Sequence, residues 1–136
     1  MSVEMEVVCD DLRDEHAALD AIVGELSEEQ WSMATPAEGW SVRDQISHLW
    51  FFDQRAVLAM RDPEAFAADM QWMLANGGTE ASVAPGRAMS GEALLDAWRA
   101  DREVLIDASR ALDPSARLPW YGPSMAARSF ITARLM

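Results

Sequence analysis

The sequence predicts an all-α fold, an up-and-down four-helix bundle whose last helix is truncated, and three observations point to it. Apolar side chains recur at spacings of three and four residues over several long segments, which is typical of helices with one buried face. No segment alternates apolar and polar residues over five or more positions, so no strand is expected. The connections between the long segments are short, which favours antiparallel neighbours in a bundle.

Start and stop signals define the segments. Residues able to cap a helix N-terminus precede five of them: Ser27, Ser41, Asp62, Ser90 and Ser124. A glutamine follows Ser27 and an aspartate follows Ser41, each three residues on, and a proline follows Asp62. The helices expected from these signals cover residues 3–26, a short stretch carrying Trp31, and residues 42–61, 63–75, 91–112 and 125–136. Residues 77–89 and 117–123 lack periodicity and are expected to be loops.

The last expected helix has no stop signal. Its apolar spacing continues to Met136 without a glycine, a proline or a polar tail. We therefore expect the polypeptide to be a fragment, one domain over residues 1–136 that is incomplete at its C-terminal end. Loss of the remainder should expose apolar surface around Phe130 and Ile131 and favour self-association.

The amino-acid composition limits the classes of protein to which this chain can belong. The chain has 136 residues, half of them hydrophobic, which suits a single domain with its own core. Its 23 acidic residues outnumber 11 basic ones, all arginine, for a net charge of -12. That charge argues against nucleic acid and anionic membranes as partners. A single cysteine, no apolar run near the ~20 residues of a membrane span and no signal peptide favour a cytoplasmic protein.

Two residues of the second long helix could carry chemistry. His48 lies off the main apolar stripe of a helix that is apolar over much of its circumference, so periodicity leaves open whether it is a metal ligand, a catalytic group or a structural histidine. Asp44, one turn earlier, could orient its ring or make an ordinary surface contact. Asp53 falls in the middle of the apolar stripe, where a carboxylate is costly unless it is paired. An ion pair with an arginine of another helix is the preferred interpretation, and a functional role is the alternative.

The remaining candidates favour structural roles. His16 flanks the apolar stripe of the first helix and is interpreted as a histidine at the edge of the core. Cys9 has two aspartates after it, and adjacent anions raise a thiol pKa, so it is treated as structural. Two histidines and one cysteine cannot form a strong transition-metal site unless carboxylates supply the other ligands.

Two blocks of sequence resemble a known family. Residues 35–49 read TPAEGWSVRDQISHL, and residues 120–136 read WYGPSMAARSFITARLM. In order and spacing they resemble the Gly-Trp-[Ser/Thr]-Val-[Arg/Lys]-Asp…His-Leu segment and the start of the last helix of the mycothiol-dependent maleylpyruvate isomerase family, within the DinB-like metal-binding superfamily. The arginine-only composition, typical of a GC-rich genome, agrees with an actinobacterial source, because mycothiol is an actinobacterial thiol.

The resemblance implies a four-helix bundle that holds a divalent metal, usually zinc, with His48 as one ligand. Two further ligands would come from a Glu-x-x-x-His motif that would begin just past Met136, so we expect little catalysis and weak metal affinity from these residues alone. The implied activity is a transferase or isomerase that uses mycothiol as thiol cofactor on a small-molecule substrate. Two alternatives remain open. One is a non-catalytic metal-binding or protein-interaction bundle, and the other is a short paralogue that completes a site around His48 with Asp53, Glu38 or Asp44.

Overall fold

A computed structural model describes residues 2–135, and helices dominate it. Along this part of the chain the elements are α1 (Val3–Val23), α2 (Glu28–Trp31), α3 (Val42–Arg61), α4 (Pro63–Ala75), a 3₁₀ helix (Gly78–Ser82), α5 (Ala84–Arg87), α6 (Gly91–Arg110), β1 (Arg117–Leu118), β2 (Met125–Ala126) and α7 (Ala127–Arg134). The prediction of an all-α bundle is confirmed. Between residues 2 and 135, no helix is both long and apolar enough to cross a membrane.

Local capping chemistry sets the starts of α2, α3, α4 and α6, as the sequence predicted. Ser27 Oγ accepts a hydrogen bond from the Gln30 backbone N–H, and the Gln30 side chain accepts one from the Ser27 N–H at 2.9 Å. Ser41 and Asp44 make the same reciprocal pair at the start of α3. Side-chain caps also begin α4 and α6 as expected. These bonds satisfy amide groups that would otherwise lack partners in the first turn.

The bundle core lies between α1, α3, α6 and α7. Phe66 of α4 also packs in this core. The four helices contribute these fully buried apolar side chains: Met5, Leu12, Ala56, Ala59, Leu105, Ile106, Phe130 and Ile131. A second cluster around Trp31 and Trp98 fills the end of the bundle near α2. The expectation of exposed apolar surface around Phe130 and Ile131 is wrong, because these two side chains are 1% and 0% exposed and face inward.

The irregular segments differ most from expectation. Residues 77–89 contain the 3₁₀ helix and α5, which lie against α3. α1 ends at Val23, with Gly24 as its C-cap, and α6 ends at Arg110, so both are shorter than the apolar spacing indicated. β1 and β2 pair antiparallel, Leu118 opposite Met125, although no strand was expected. α7 therefore begins after Ala126, and Ser124 is not its cap. Two-residue strands are too short for a period of two to appear in sequence.

Candidate functional site

The side chain of His48 lies on α3 and is held by one defined hydrogen bond. Its Nδ1 lies 2.9 Å from the hydroxyl oxygen of Ser82, at the end of the 3₁₀ helix. The Ser82 hydroxyl itself donates to the carbonyl of Thr79 at 2.5 Å. A hydroxyl carries only one hydrogen, so Ser82 must accept from His48 Nδ1–H. In the neutral ring the lone pair is therefore on Nε2.

Ser82 is placed by a close contact between α3 and α5. Ser47, one residue before His48, donates its hydroxyl hydrogen to the Ser82 carbonyl at 2.7 Å and accepts from the Gly86 amide at 3.0 Å. Both serines are fully buried. A Cβ on Gly86 would lie 2.4 Å from Ser47 Cβ, so only glycine allows this approach. The position of the His48 ring thus depends on a glycine 38 residues away.

Aromatic rings shield His48 on two sides. The ring centroids of Trp40 and Phe52 lie 5.1 Å and 4.8 Å from that of the imidazole. Trp40 is held in turn by a hydrogen bond from its indole N–H to Glu80, 3.0 Å long. Burial lowers the pKa of His48, and the positive charge of Arg134 lowers it further. The neutral imidazole, which is the metal-binding form, is therefore favoured.

Asp44 does not orient the His48 ring. Its carboxylate caps Ser41 and forms a two-bond ion pair with Arg87, with Nε–Oδ1 and Nη2–Oδ2 distances of 3.0 Å and 3.2 Å. Ser82, not Asp44, is the hydrogen-bond partner of the His48 ring. The pair between Asp44 and Arg87 instead fixes α5 to the start of α3, which supports the same histidine indirectly.

Asp53 forms the buried ion pair that the sequence favoured. The residue is 2% exposed, and its Oδ1 accepts a hydrogen bond from the guanidinium of Arg134 on α7. Burial raises the pKa of the Asp53 carboxyl, and Arg134 opposes that shift without cancelling it. A desolvated carboxylate with one cationic partner is stable only while the pair is intact.

The other candidates lie in structural positions. His16 is half-buried and packs edge-on against Trp98, with ring centroids 6.1 Å apart. Burial and the nearby charges of Arg102, Arg134 and Arg13 lower the pKa of His16 to about 4. Cys9 is fully buried, and burial raises its thiol pKa. The burial of both side chains agrees with the structural interpretation given to them.

The described residues do not contain a complete set of metal ligands. Within residues 2–135, no group of three or more His, Cys, Asp or Glu side chains is arranged to hold a metal ion. The hypothesis that Asp53, Glu38 or Asp44 completes a site around His48 is therefore wrong for this part of the chain. The His48 ring has one nitrogen in a hydrogen bond with a protein oxygen, a feature that it shares with histidines that bind metals.

A sequence model of the mycothiol maleylpyruvate isomerase N-terminal domain matches residues 12–136. The chain belongs to this family. Two uncharacterised proteins of Mycobacterium tuberculosis, from strains CDC 1551 / Oshkosh and ATCC 25618 / H37Rv, are each 39% identical to it over 128 residues, which is 93% of this chain and 50% of each relative. The chain thus spans about half the length of the curated relatives it matches.

The fold recurs in a solved structure. A crystal structure of the mycothiol-dependent maleylpyruvate isomerase superposes with a TM-score of 0.74 over 99% of this chain and 59% of that protein, at 14% identity. At that identity the likeness shows the fold alone. It confirms that the resemblance carried by residues 35–49 and 120–136 identified the correct architecture.

Proposed function

We propose that this domain binds a divalent metal ion, zinc, through Nε2 of His48, and that the protein is a thiol-dependent transferase or isomerase. The observation that carries the proposal is the hydrogen bond from His48 Nδ1–H to Ser82, which fixes the ring and leaves Nε2 with its lone pair. Histidine ligands in metalloproteins are oriented by such a bond from their second ring nitrogen.

The surrounding residues suit this role. Ser82 holds the tautomer, the contact between Ser47 and Gly86 holds Ser82, and the rings of Trp40 and Phe52 shield the imidazole on two sides. Catalytic zinc sites use three protein ligands and keep a fourth position open. When bound, the metal would supply a charge that stabilises a cofactor thiol as its nucleophilic thiolate.

Family membership supports mycothiol as the thiol and a small electrophilic molecule as the substrate. The matching family model and the solved structure are both named for a mycothiol-using maleylpyruvate isomerase. We further propose that residues 1–136 form an incomplete DinB-like domain whose other metal ligands lie in chain that follows Met136. The curated relatives are about twice as long as this chain, which supports the idea. On this proposal, residues 1–136 alone bind zinc weakly and are inactive.

Zinc titration by calorimetry tests the proposal, using the protein expressed from its complete natural reading frame. The chain contains two histidines, so His16→Ala is a matched control for His48→Ala. We expect His48→Ala to abolish stoichiometric zinc binding, His16→Ala to retain it, and Ser82→Ala to weaken it by about 10–100-fold. Unchanged zinc stoichiometry in His48→Ala would remove this residue from the site.

A second arm of the experiment tests the thiol. Mycothiol added to the zinc-loaded protein should bind and release a proton, which is measured as a change in binding enthalpy between buffers of different ionisation enthalpy. Zinc binding without any thiol binding would favour the non-catalytic metal-binding bundle over the enzyme.

A further inference from the structure

A cavity of about 300 Å³ lies where α1 ends, α2 packs on the bundle and α6 begins. Apolar residues form most of its wall: Val23, Gly24, Leu26, Trp31 and Leu95. The two charged residues that line it are Glu28 and Glu92. None of these residues belongs to α7 or to the contact between His48 and Ser82. A mostly apolar cavity with a few polar groups is the usual form of a small-molecule site.

Close packing fixes the part of the wall that Trp31 forms. This residue is 2% exposed, and its indole lies directly against the backbone of α6, since a Cβ on Gly91 would be 2.3 Å from its Cγ and Cδ1. The Gly91 amide also donates to Glu28 Oε2 at 2.8 Å, which joins α2 to the first residue of α6. The cavity is therefore formed before a ligand binds, so binding does not have to order its walls.

The two carboxylates differ in the partners that they have within the protein. Glu28 accepts hydrogen bonds from the Arg43 guanidinium and from the Gly91 amide, so its charge is compensated. None of the ion pairs formed among residues 2–135 includes Glu92, which is exposed in the first turn of α6. The positive end of the helix stabilises this carboxylate, and its oxygens can still accept hydrogen bonds from a ligand.

The other cations near the cavity are balanced by carboxylates of their own. A Cβ on Gly24 would lie 3.1 Å from Arg99 Nη2, so this guanidinium is close to the cavity. Arg99 donates two hydrogen bonds of 2.7 Å to Asp20, and Arg102 pairs with the same carboxylate. The carboxylate of Asp20 and, more weakly, that of Asp96 raise the pKa of Arg99. Two arginines thus face two aspartates, and this group of charges is neutral.

We propose that this cavity binds a small organic ammonium ion, a primary amine with a compact hydrocarbon body. An ammonium group has three donors and no acceptor, so it binds the carboxylate of Glu92 while the apolar walls enclose the hydrocarbon. The indole of Trp31 adds to the attraction, because aromatic rings attract cations. The charge of Glu92 thereby gains the cationic partner that it lacks among residues 2–135.

Anions and neutral molecules fit the cavity less well. An anion would meet two carboxylates, in a chain whose net charge is -12. It would also find amides of the first turn of α6 occupied, because Gly91 N–H donates to Glu28 and Ala93 N–H donates to Ser90 Oγ at 3.1 Å. A neutral molecule of the same shape gains the apolar contacts but not the attraction to Glu92.

Three probes with one apolar body test this proposal: cyclohexylamine, cyclohexanol and cyclohexanecarboxylate. Each is titrated at pH 7 into the metal-free protein expressed from its complete natural reading frame, while NMR follows the indole N–H of Trp31. The indole of Trp72, which is 53% exposed, reports nonspecific effects in the same spectra. We expect cyclohexylammonium to give saturable shifts of the Trp31 signal at millimolar concentration and the other two probes to bind at least about tenfold more weakly.

Three results of this titration would overturn the proposal. Equal affinity for cyclohexanol would mean that the cavity selects apolar surface and not the ammonium group. A preference for the carboxylate would mean that the charge of Glu92 does not govern binding. No saturable shift of the Trp31 signal from any probe would mean that the cavity is not a binding site.

Two variants localise the binding. Glu92→Gln should weaken the binding of cyclohexylammonium about tenfold, because it removes the charge and keeps the size of the side chain. Glu64→Gln is the matched control and should leave the affinity unchanged, since Glu64 is an exposed first-turn residue of α4 that does not line the cavity. Leu26→Phe places a larger ring on the half-buried wall and should weaken binding at least about tenfold.

The variants also have outcomes that contradict the assignment. Unchanged affinity in Glu92→Gln, or in the folded Leu26→Phe protein, would place the binding elsewhere. An equal loss of affinity in Glu64→Gln would mean that the overall negative charge, and not this cavity, attracts the probe. None of these measurements involves zinc, so their outcome is independent of the proposed metal function.

Discussion

Replacing Gly86 by alanine should destabilise the protein and disturb its histidine site together. The added Cβ would lie 2.4 Å from Ser47 Cβ, 2.6 Å from Ser47 Oγ and 3.3 Å from Leu94 Cδ2. Carbon atoms pack at about 3.5–4.0 Å, so α5 would have to move roughly 1 Å or more from α3. Ser47 Oγ and Ser82 O, now 2.7 Å apart, would separate, and the partner of His48 would shift with them.

The expected cost follows from overpacking of a buried contact. Such insertions cost about 1–3 kcal/mol of unfolding free energy, or a fall of roughly 3–12 °C in Tm for a domain of this size. Urea unfolding followed by circular dichroism measures the loss. Gly122→Ala is the matched control, because a Cβ there meets nothing within 4 Å and should change the stability by less than about 0.5 kcal/mol.

A double substitution identifies the clash as the cause. Ser47→Gly removes the atoms that the new Cβ would strike, so Gly86→Ala should cost much less in a Ser47→Gly background than in the wild type. If Gly86→Ala is as stable as wild type, or costs the same in both backgrounds, then the packing of α5 on α3 described above is incorrect.

Three further predictions concern buried ionisable groups. The pKa of His16 is about 4 in the folded protein and 6.5 in the unfolded chain, so the unfolded chain takes up the proton first as the pH falls. The contribution of His16 to stability should therefore be fully present above pH 6.5 and should fall by up to about 3 kcal/mol as the pH is lowered to 4. Urea unfolding measured at several pH values should show a smaller fall for His16→Phe. Asp53→Ala leaves Arg134 buried without its partner and should cost about 3–5 kcal/mol, whereas the apolar pair Asp53→Leu with Arg134→Met should cost less in the same assay. Cys9 is fully buried with a raised thiol pKa, so iodoacetamide should alkylate it slowly in the native protein and rapidly in denaturing urea, as mass spectrometry would record.

Each of these predictions has a contradicting result. Identical pH dependence in wild type and His16→Phe would mean that His16 is not kept neutral by its surroundings. An Asp53→Ala protein as stable as the apolar double variant would mean that the ion pair is solvated. Native alkylation of Cys9 as fast as that of the unfolded chain would contradict its burial in the core.

The helix starts that could be predicted from the sequence are those formed by hydrogen bonds between residues close together in the chain. Ser27 with Gln30, and Ser41 with Asp44, lie three positions apart, so the hydrogen bonds that begin α2 and α3 can be recognised in the sequence itself. The same is true of Asp62 before the proline that opens α4. The start of α7 was misplaced because its position is set by pairing between β1 and β2, and by the bond from the Ala127 amide to the Ala116 carbonyl.

Of the candidate site, the sequence indicated only one residue. The resemblance pointed to His48, but its partner Ser82 lies 34 residues away in a segment without periodicity, and no local pattern connects the two. The position of Asp53 in the middle of the apolar stripe of its helix indicated that its carboxylate needs a cationic partner. With 11 arginines in the chain, only the packing of α7 against the bundle could identify Arg134.

The protonation of the His48 ring is the most direct test of the account, because the proposed metal site depends on an open Nε2. Long-range ¹H–¹⁵N NMR of residues 1–136 without metal at pH 7 reports the tautomer, and a His16→Gln background leaves a single imidazole in this part of the chain. The account predicts a neutral ring with the proton on Nδ1, and loss of that preference in Ser82→Ala. A ring with its proton on Nε2, or one that is fully protonated at this pH, would contradict it.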